Sequence, residues 1–168
     1  EIIQRKTKMK VSQITNNMRI VPDSVYIVPP NKSLVIFNDT LQLLEVKKTS
    51  GANLCIDTFF RSLAQDRGNK AVGIILSGTG TDGTLGVRAI KGEAGMVMVQ
   101  DLKSANYEGM PRSAIASGMA DFVLSPDKMP EKLKQYVHHQ MGRIESSTKT
   151  GNEKLINALP RIFSLLRV

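Results

Sequence analysis

One cysteine, Cys55, and two histidines, His138 and His139, are all the thiol and imidazole groups in this 168-residue chain. A single thiol excludes an internal disulfide framework and a cysteine-based zinc cluster, and it fits a reducing compartment, so a cytoplasmic location is expected. Two adjacent histidines late in the chain do not make a multi-histidine site, so no metal and no cofactor are expected. Tryptophan is absent and aromatic residues amount to 5%. No apolar run approaches the roughly 18 residues of a membrane span, so no membrane insertion is expected. The opening Glu1-Ile2-Ile3-Gln4-Arg5-Lys6-Thr7 has no basic segment leading into an apolar one, so it is not expected to be a signal peptide. It resembles instead the tail of an amphipathic helix already under way, so the chain is expected to be part of something longer.

What is present is enough for a core: 41% of residues are hydrophobic and 23% are charged, a balance that argues against disorder. The net charge of +8 is unevenly spread. Residues 1–70 hold 11 Lys/Arg against 6 Asp/Glu, residues 71–130 hold 5 against 6, and residues 131–168 hold 7 against 3. A nucleic-acid module concentrates its basic stripe on the element that carries its motif, with aromatics nearby. Here the most patterned stretch is close to neutral, so the charge is assigned to a solvated surface and no nucleic-acid partner is expected.

The first third reads as β. Segments 10–14 and 24–28 are candidate strands, the second stopped by Pro29-Pro30. Apolar runs at 33–37 and 41–46 flank Asn38-Asp39-Thr40, which predicts a hairpin. A helix is expected from Asp57, read as its N-cap, with Phe59, Phe60, Leu63 and Ala64 on one face and Gly68-Asn69 at its end. Strands and helices then alternate: strand 71–76, helix 85–94, strand 95–99, a short helix with Pro111 as its first residue, strand 121–124, and a helix over about 130–139. This alternation predicts an α/β fold, a doubly wound and mostly parallel sheet in three α/β/α layers, with an antiparallel hairpin beside it. Residues 142–152 are polar and without apolar periodicity, as in a linker, and 153–168 regain an amphipathic helical pattern.

The densest motif is Leu76-Ser77-Gly78-Thr79-Gly80-Thr81-Asp82-Gly83-Thr84, at the carboxyl end of a predicted parallel strand, where open α/β sheets place their sites. Its glycines let backbone N–H groups face a phosphate or an oxyanion. Gly78, Gly80 and Gly83 satisfy the spacing of a dinucleotide fingerprint, with Asp101 near the ribose-binding position, yet Asp82 would crowd a pyrophosphate. A P-loop is excluded because no Lys-Ser/Thr follows the glycines. Asp82 also suits a catalytic carboxylate that orients a histidine, and it suits equally a tight turn in which it caps the next helix. Tyr107-Glu108-Gly109-Met110-Pro111-Arg112 follows the next strand and should lie on the same rim, as a second part of the site or as a well-capped loop.

These residues carry a resemblance. The stretch from Gly73 to Gly86, Val99-Gln100-Asp101, Gly109 to Ala114 and Asp121 to Leu124, with the upstream 21–31 and 56–64 in matching order, resemble the CheB-type chemotaxis protein-glutamate methylesterase over about residues 1–140. The resemblance implies hydrolysis of γ-glutamyl methyl esters on a methylated chemoreceptor, and deamidation of receptor glutamines, by a Ser-His-Asp triad. It implies that Asp82 is the triad acid, that Thr79 with Gly78, Gly80 and Gly83 forms the oxyanion loop, and that Met110 and Pro111 border the substrate. The family's serine and histidine precede this aspartate, and neither has a counterpart here: no Ser-Thr-Gly-Gly occurs and no histidine precedes His138. His138 and His139 are read as surface groups at a helix end. The domain is therefore expected to be truncated at its N-terminus, occupying 1–141, and to be inactive alone and prone to self-association. The tail at 153–168 resembles the opening helix of the CheR-type receptor methyltransferase, as in fused methylesterase–methyltransferase proteins. The rival expectation is a non-catalytic CheB-like interaction or regulatory module.

Overall fold

The computed structural model describes residues 2–46 and 54–147. In chain order these form β1 (Lys10–Gln13), β2 (Met18–Arg19), β3 (Ser24–Ile27), β4 (Lys32–Phe37), β5 (Thr40–Glu45), α1 (Cys55–Arg67), β6 (Val72–Ile75), α2 (Thr84–Gly92), β7 (Met96–Gln100), α3 (Gly109–Ala116), β8 (Phe122–Leu124) and α4 (Met129–Ser147). The strands make a parallel pair β1-β3, an antiparallel sheet in the order β2-β5-β4, and a parallel sheet in the order β6-β7-β8. This is the mixed α/β class that the alternation predicts, with the hairpin beside the parallel strands. The chain divides into two units, residues 1–126 and residues 127–168, and α4 belongs to the second.

Local chemistry explains the first unit. Asn38 and Asp39 both adopt positive φ, 47° and 62°, which a two-residue hairpin turn requires and which these two residue types tolerate. Thr40, expected inside the turn, therefore pairs directly with Phe37 and opens β5. The two-residue β2, which pairs with the other side of β5, is too short to leave a periodic signal in the sequence. β7 is buried at all five positions, as the middle strand of a parallel sheet should be. Its Val97 and Val99 join Ile75 of β6, Phe60 and Ala64 of α1, and Val87 and Ile90 of α2 in one core. A second cluster, Ile14, Leu34, Ile36 and Leu41, underlies the hairpin. Phe59 and Leu63 of α1 pack against both clusters, so this one helix joins them.

Helix boundaries differ from expectation: α2, expected over 85–94, runs from Thr84 to Gly92, and the other three helices differ as follows. α1 begins at Cys55, so Asp57 is inside the first turn and not at the N-cap, which is Leu54. α3 begins at Gly109, and Pro111 takes its third position, where a missing N–H still costs no helical bond. α4 continues to Ser147, through the first part of the segment expected as a linker. Gly142 costs a helix only about 1 kcal/mol, and Val137, Met141 and Ile144 keep helical spacing across it. The rest of 142–152 and the expected helix at 153–168 lie outside the described residues. Among the described residues no helix is long and apolar enough to cross a membrane.

Candidate active site

β6 delivers the chain into the glycine-rich loop at its carboxyl end. Gly83 closes that loop at φ +93°, a conformation that L side chains rarely adopt, and serves as the N-cap of α2 without a side-chain cap. Asp82, immediately before it, does not cap α2. Its Oδ2 accepts the Ile56 N–H at 3.0 Å and its Oδ1 accepts the Asp57 N–H at 2.9 Å. The half-buried carboxylate thus caps α1, a helix 25 residues upstream, and its negative charge lies where the dipole of that helix favours it. Asp57 answers across the interface. Its buried carboxylate accepts the Gly86 N–H of α2 at 2.6 Å. Each helix is capped by an aspartate attached to the other.

The second loop is laced to the first. The Gly78 N–H donates to the Tyr107 carbonyl at 3.0 Å, and the Met110 N–H donates to the Gly78 carbonyl at 2.9 Å. The Tyr107 N–H donates to Ser77 Oγ at 2.9 Å, and the Ser77 N–H donates to the Gln100 Oε1 at 2.8 Å. Gln100, buried at the end of β7, passes its amide N–H on to the Ser104 carbonyl at 2.9 Å. The backbones approach so closely that a Cβ on Gly109 would lie 2.8 Å from Gly80 N, and one on Gly78 would lie 2.3 Å from Met110 Sδ. The expected common rim is therefore real, and it is held by a relay of main-chain and side-chain bonds.

Of the residues singled out in the sequence, Gly78, Thr79, Gly80, Asp82, Gly83 and Met110 lie together on this rim. Thr79 is exposed at its crest and, among the described residues, its N–H donates no hydrogen bond. Pro111 is fully buried and supports the rim from within. Ser77, at the start of the loop, already accepts the Tyr107 N–H through its hydroxyl. His138 and His139 are exposed on α4. Asp57 reads in the sequence only as a local N-cap, and Ser77 and Gln100 only as members of motifs; that these three hold the site was not legible there. The available signals were a glutamine ending a wholly apolar strand and an aspartate inside an apolar helix face. Among the described residues no group of three His, Cys, Asp or Glu side chains could hold a metal ion.

Comparison with known proteins agrees with this architecture. The family model described as CheB methylesterase matches residues 1–133. An uncharacterised 104.1 kDa protein of Rhodobacter capsulatus is 37% identical over 136 residues, covering 81% of this chain and 14% of that protein. A protein named protein-glutamate methylesterase/protein-glutamine glutaminase 1, from Geobacter metallireducens, is 32% identical over 140 residues, covering 81% of this chain and 39% of that protein. The chain thus spans well under half the length of these two relatives. Among solved structures, the CheB methylesterase catalytic domain of Thermotoga maritima superposes with a TM-score of 0.72 at 29% identity, covering 80% of this chain and 74% of that one. A match over residues 1–133, with the same fold, means that this chain belongs to the CheB methylesterase family.

Proposed function

We propose that this chain supplies the acid and the oxyanion loop of a chemoreceptor methylesterase whose serine and histidine lie outside these 168 residues. The observation that carries the reading is Asp82, fixed at the carboxyl end of a parallel strand by two N–H groups, three residues from the unspent Thr79 N–H. An ionised carboxylate offers about four acceptor sites, so the two taken by α1 leave room for the Nδ1–H of an imidazole. In the proposed reaction a serine Oγ attacks the γ-glutamyl ester carbonyl while the histidine takes the serine proton. The tetrahedral oxyanion accepts the Thr79 N–H, the histidine returns the proton to the departing methoxide, and methanol leaves. Water then hydrolyses the acyl-enzyme by the same route, and a receptor glutamine would be deamidated likewise. Asp82 holds the imidazole tautomer and stabilises the imidazolium throughout.

The substrate in this reading is a methylated chemoreceptor, and the reaction is cytoplasmic, where Cys55 stays reduced. The fused methylesterase–methyltransferase context rests on the resemblance of residues 153–168, and the Rhodobacter relative, of which the matched segment is 14%, is consistent only with such a segment lying in a much longer protein. The test is release of methanol from methyl-labelled receptor. The 168-residue chain alone should release none, and the chain together with the sequence preceding Glu1 should release it. Asp82→Asn in that longer protein should lower kcat by about 10⁴-fold, the loss expected when the imidazole tautomer is no longer held. Unchanged hydrolysis by the Asp82→Asn protein overturns the reading.

A further inference from the structure

Asp57 and Asp82 close a ring. Asp82 accepts the Ile56 and Asp57 N–H groups, the Asp57 carboxylate accepts the Gly86 N–H at 2.6 Å, and the chain returns from Gly86 to Asp82 in four residues. Among the described residues those two N–H groups are the sole partners of the Asp82 carboxylate. Its direction is therefore set by where the first turn of α1 stands. That turn is anchored to α2 by Asp57, which is 4% exposed, so water does not compete for its bond to Gly86. The approach depends on Gly86 as well: a Cβ there would lie 2.5 Å from Phe60 Cβ and 3.2 Å from Asp57 Cα.

We infer that Asp57 is a positioning residue for Asp82. Its bond to Gly86 fixes the first turn of α1 against α2, and that turn aims the Asp82 carboxylate. The inference rests on the reading of Asp82 as the acid that orients the catalytic base, and it adds a residue that touches neither substrate nor reacting atoms. A charged acceptor at position 57 also explains why a buried aspartate is kept inside an otherwise apolar face. The Gly86 N–H is an orphan donor in the first turn of α2, and a carboxylate satisfies it more strongly than a neutral group would.

The test is residue-resolved amide hydrogen exchange and proton shifts on the 168-residue chain, comparing the native protein with Asp57→Ala, Asp57→Asn and Asp82→Asn. Loss of the ring in Asp57→Ala should speed exchange at positions 56 and 57 by about ten-fold relative to Phe60, deeper in the same helix, and move both amide protons upfield. Asp57→Asn keeps an acceptor and should retain part of the protection, so it decides the matter even if the alanine protein does not fold. A merely structural cap would give a different pattern. Gly86 would exchange faster and the melting temperature would fall, while positions 56 and 57 kept their protection relative to Phe60; that result overturns the inference. In the longer, active protein Asp57→Asn should lower kcat with KM unchanged. Full kcat in Asp57→Asn alongside a dead Asp82→Asn overturns the positioning role and leaves the triad reading standing. Full activity in Asp82→Asn removes the triad reading, and the exchange pattern still decides whether the ring aims the carboxylate.

Discussion

At the scale of single residues the rim depends on what two glycines leave out. A Cβ on Gly78 would meet Met110 Sδ at 2.3 Å, and that sulfur is the mobile part of an unbranched side chain. Alanine at 78 should therefore push Met110 aside and leave the backbone bonds between the loops in place. The expected loss is about 1 kcal/mol, the lower end of the cost of overpacking. In a Met110→Ala background the obstacle is gone. There Gly78→Ala should be neutral or stabilising by up to about 1 kcal/mol, through the smaller entropy of the unfolded chain. Urea denaturation of the four proteins gives the coupling as a double-mutant cycle, with at least about 0.5 kcal/mol expected. Gly109 offers no such relief, because the atoms it would strike are the Gly80 amide and carbonyl.

At the scale of elements α1 and α2 meet closely, and of two glycines of α2 one lies in that contact and the other in open space. Gly86→Ala would gain about 1 kcal/mol of helix propensity, but its Cβ would lie 2.5 Å from Phe60 Cβ and 3.2 Å from Asp57 Cα, both close to backbone and unable to swing away. The overpacking should win, with a net loss of about 1–2 kcal/mol. Gly92, at the end of the same helix, has nothing within 4 Å of a new Cβ, so Gly92→Ala should stabilise by about 0.4–1 kcal/mol. Thermal melts of the two variants should move apart. The same junction shows what was legible in the sequence. α1, α2, β6 and β7 announce themselves, because apolar periodicity and turn residues are local signals. The caps do not. Asp57 has the form of a local N-cap, but its acceptor serves an amide 29 residues away, and Asp82 looks like a cap for α2 while it serves α1. Local rules assign a capping aspartate to the nearest helix start, and tertiary packing here exchanged the two. The loop carrying Asp82 and Thr79 was legible because three glycines at a strand end are rare. Gln100 was not, since its role arises only when β7 brings it beneath Ser77.

At the scale of the first unit an outer strand beside an apolar groove has a consequence for solution behaviour. Among the described residues β6 is an outer strand of its sheet, paired to β7 on one side. Its Ile74 lines an apolar groove of about 640 Å³, together with Ile20, Tyr26 and Val28 from the β1–β5 region and Ile56 and Phe59 from α1. Val21 and Val28, which also line it, are exposed. An unpaired strand edge beside uncovered apolar side chains is a template for pairing, and natural sheets blunt such edges with charge or proline. The four residues of β6, Val-Gly-Ile-Ile, carry neither. A second copy of this chain is the occupant available in a pure sample, so the 168-residue chain should self-associate as its concentration rises. Static light scattering should show the average mass climbing above 18.5 kDa, and a solvatochromic apolar dye should compete for the same surface. Lysine at Ile74 should return the mass to that of a monomer, because a charge on the edge cannot be buried in a pair without its own partner. A constant 18.5 kDa at high concentration would overturn the self-association and remove this edge's role as a pairing surface.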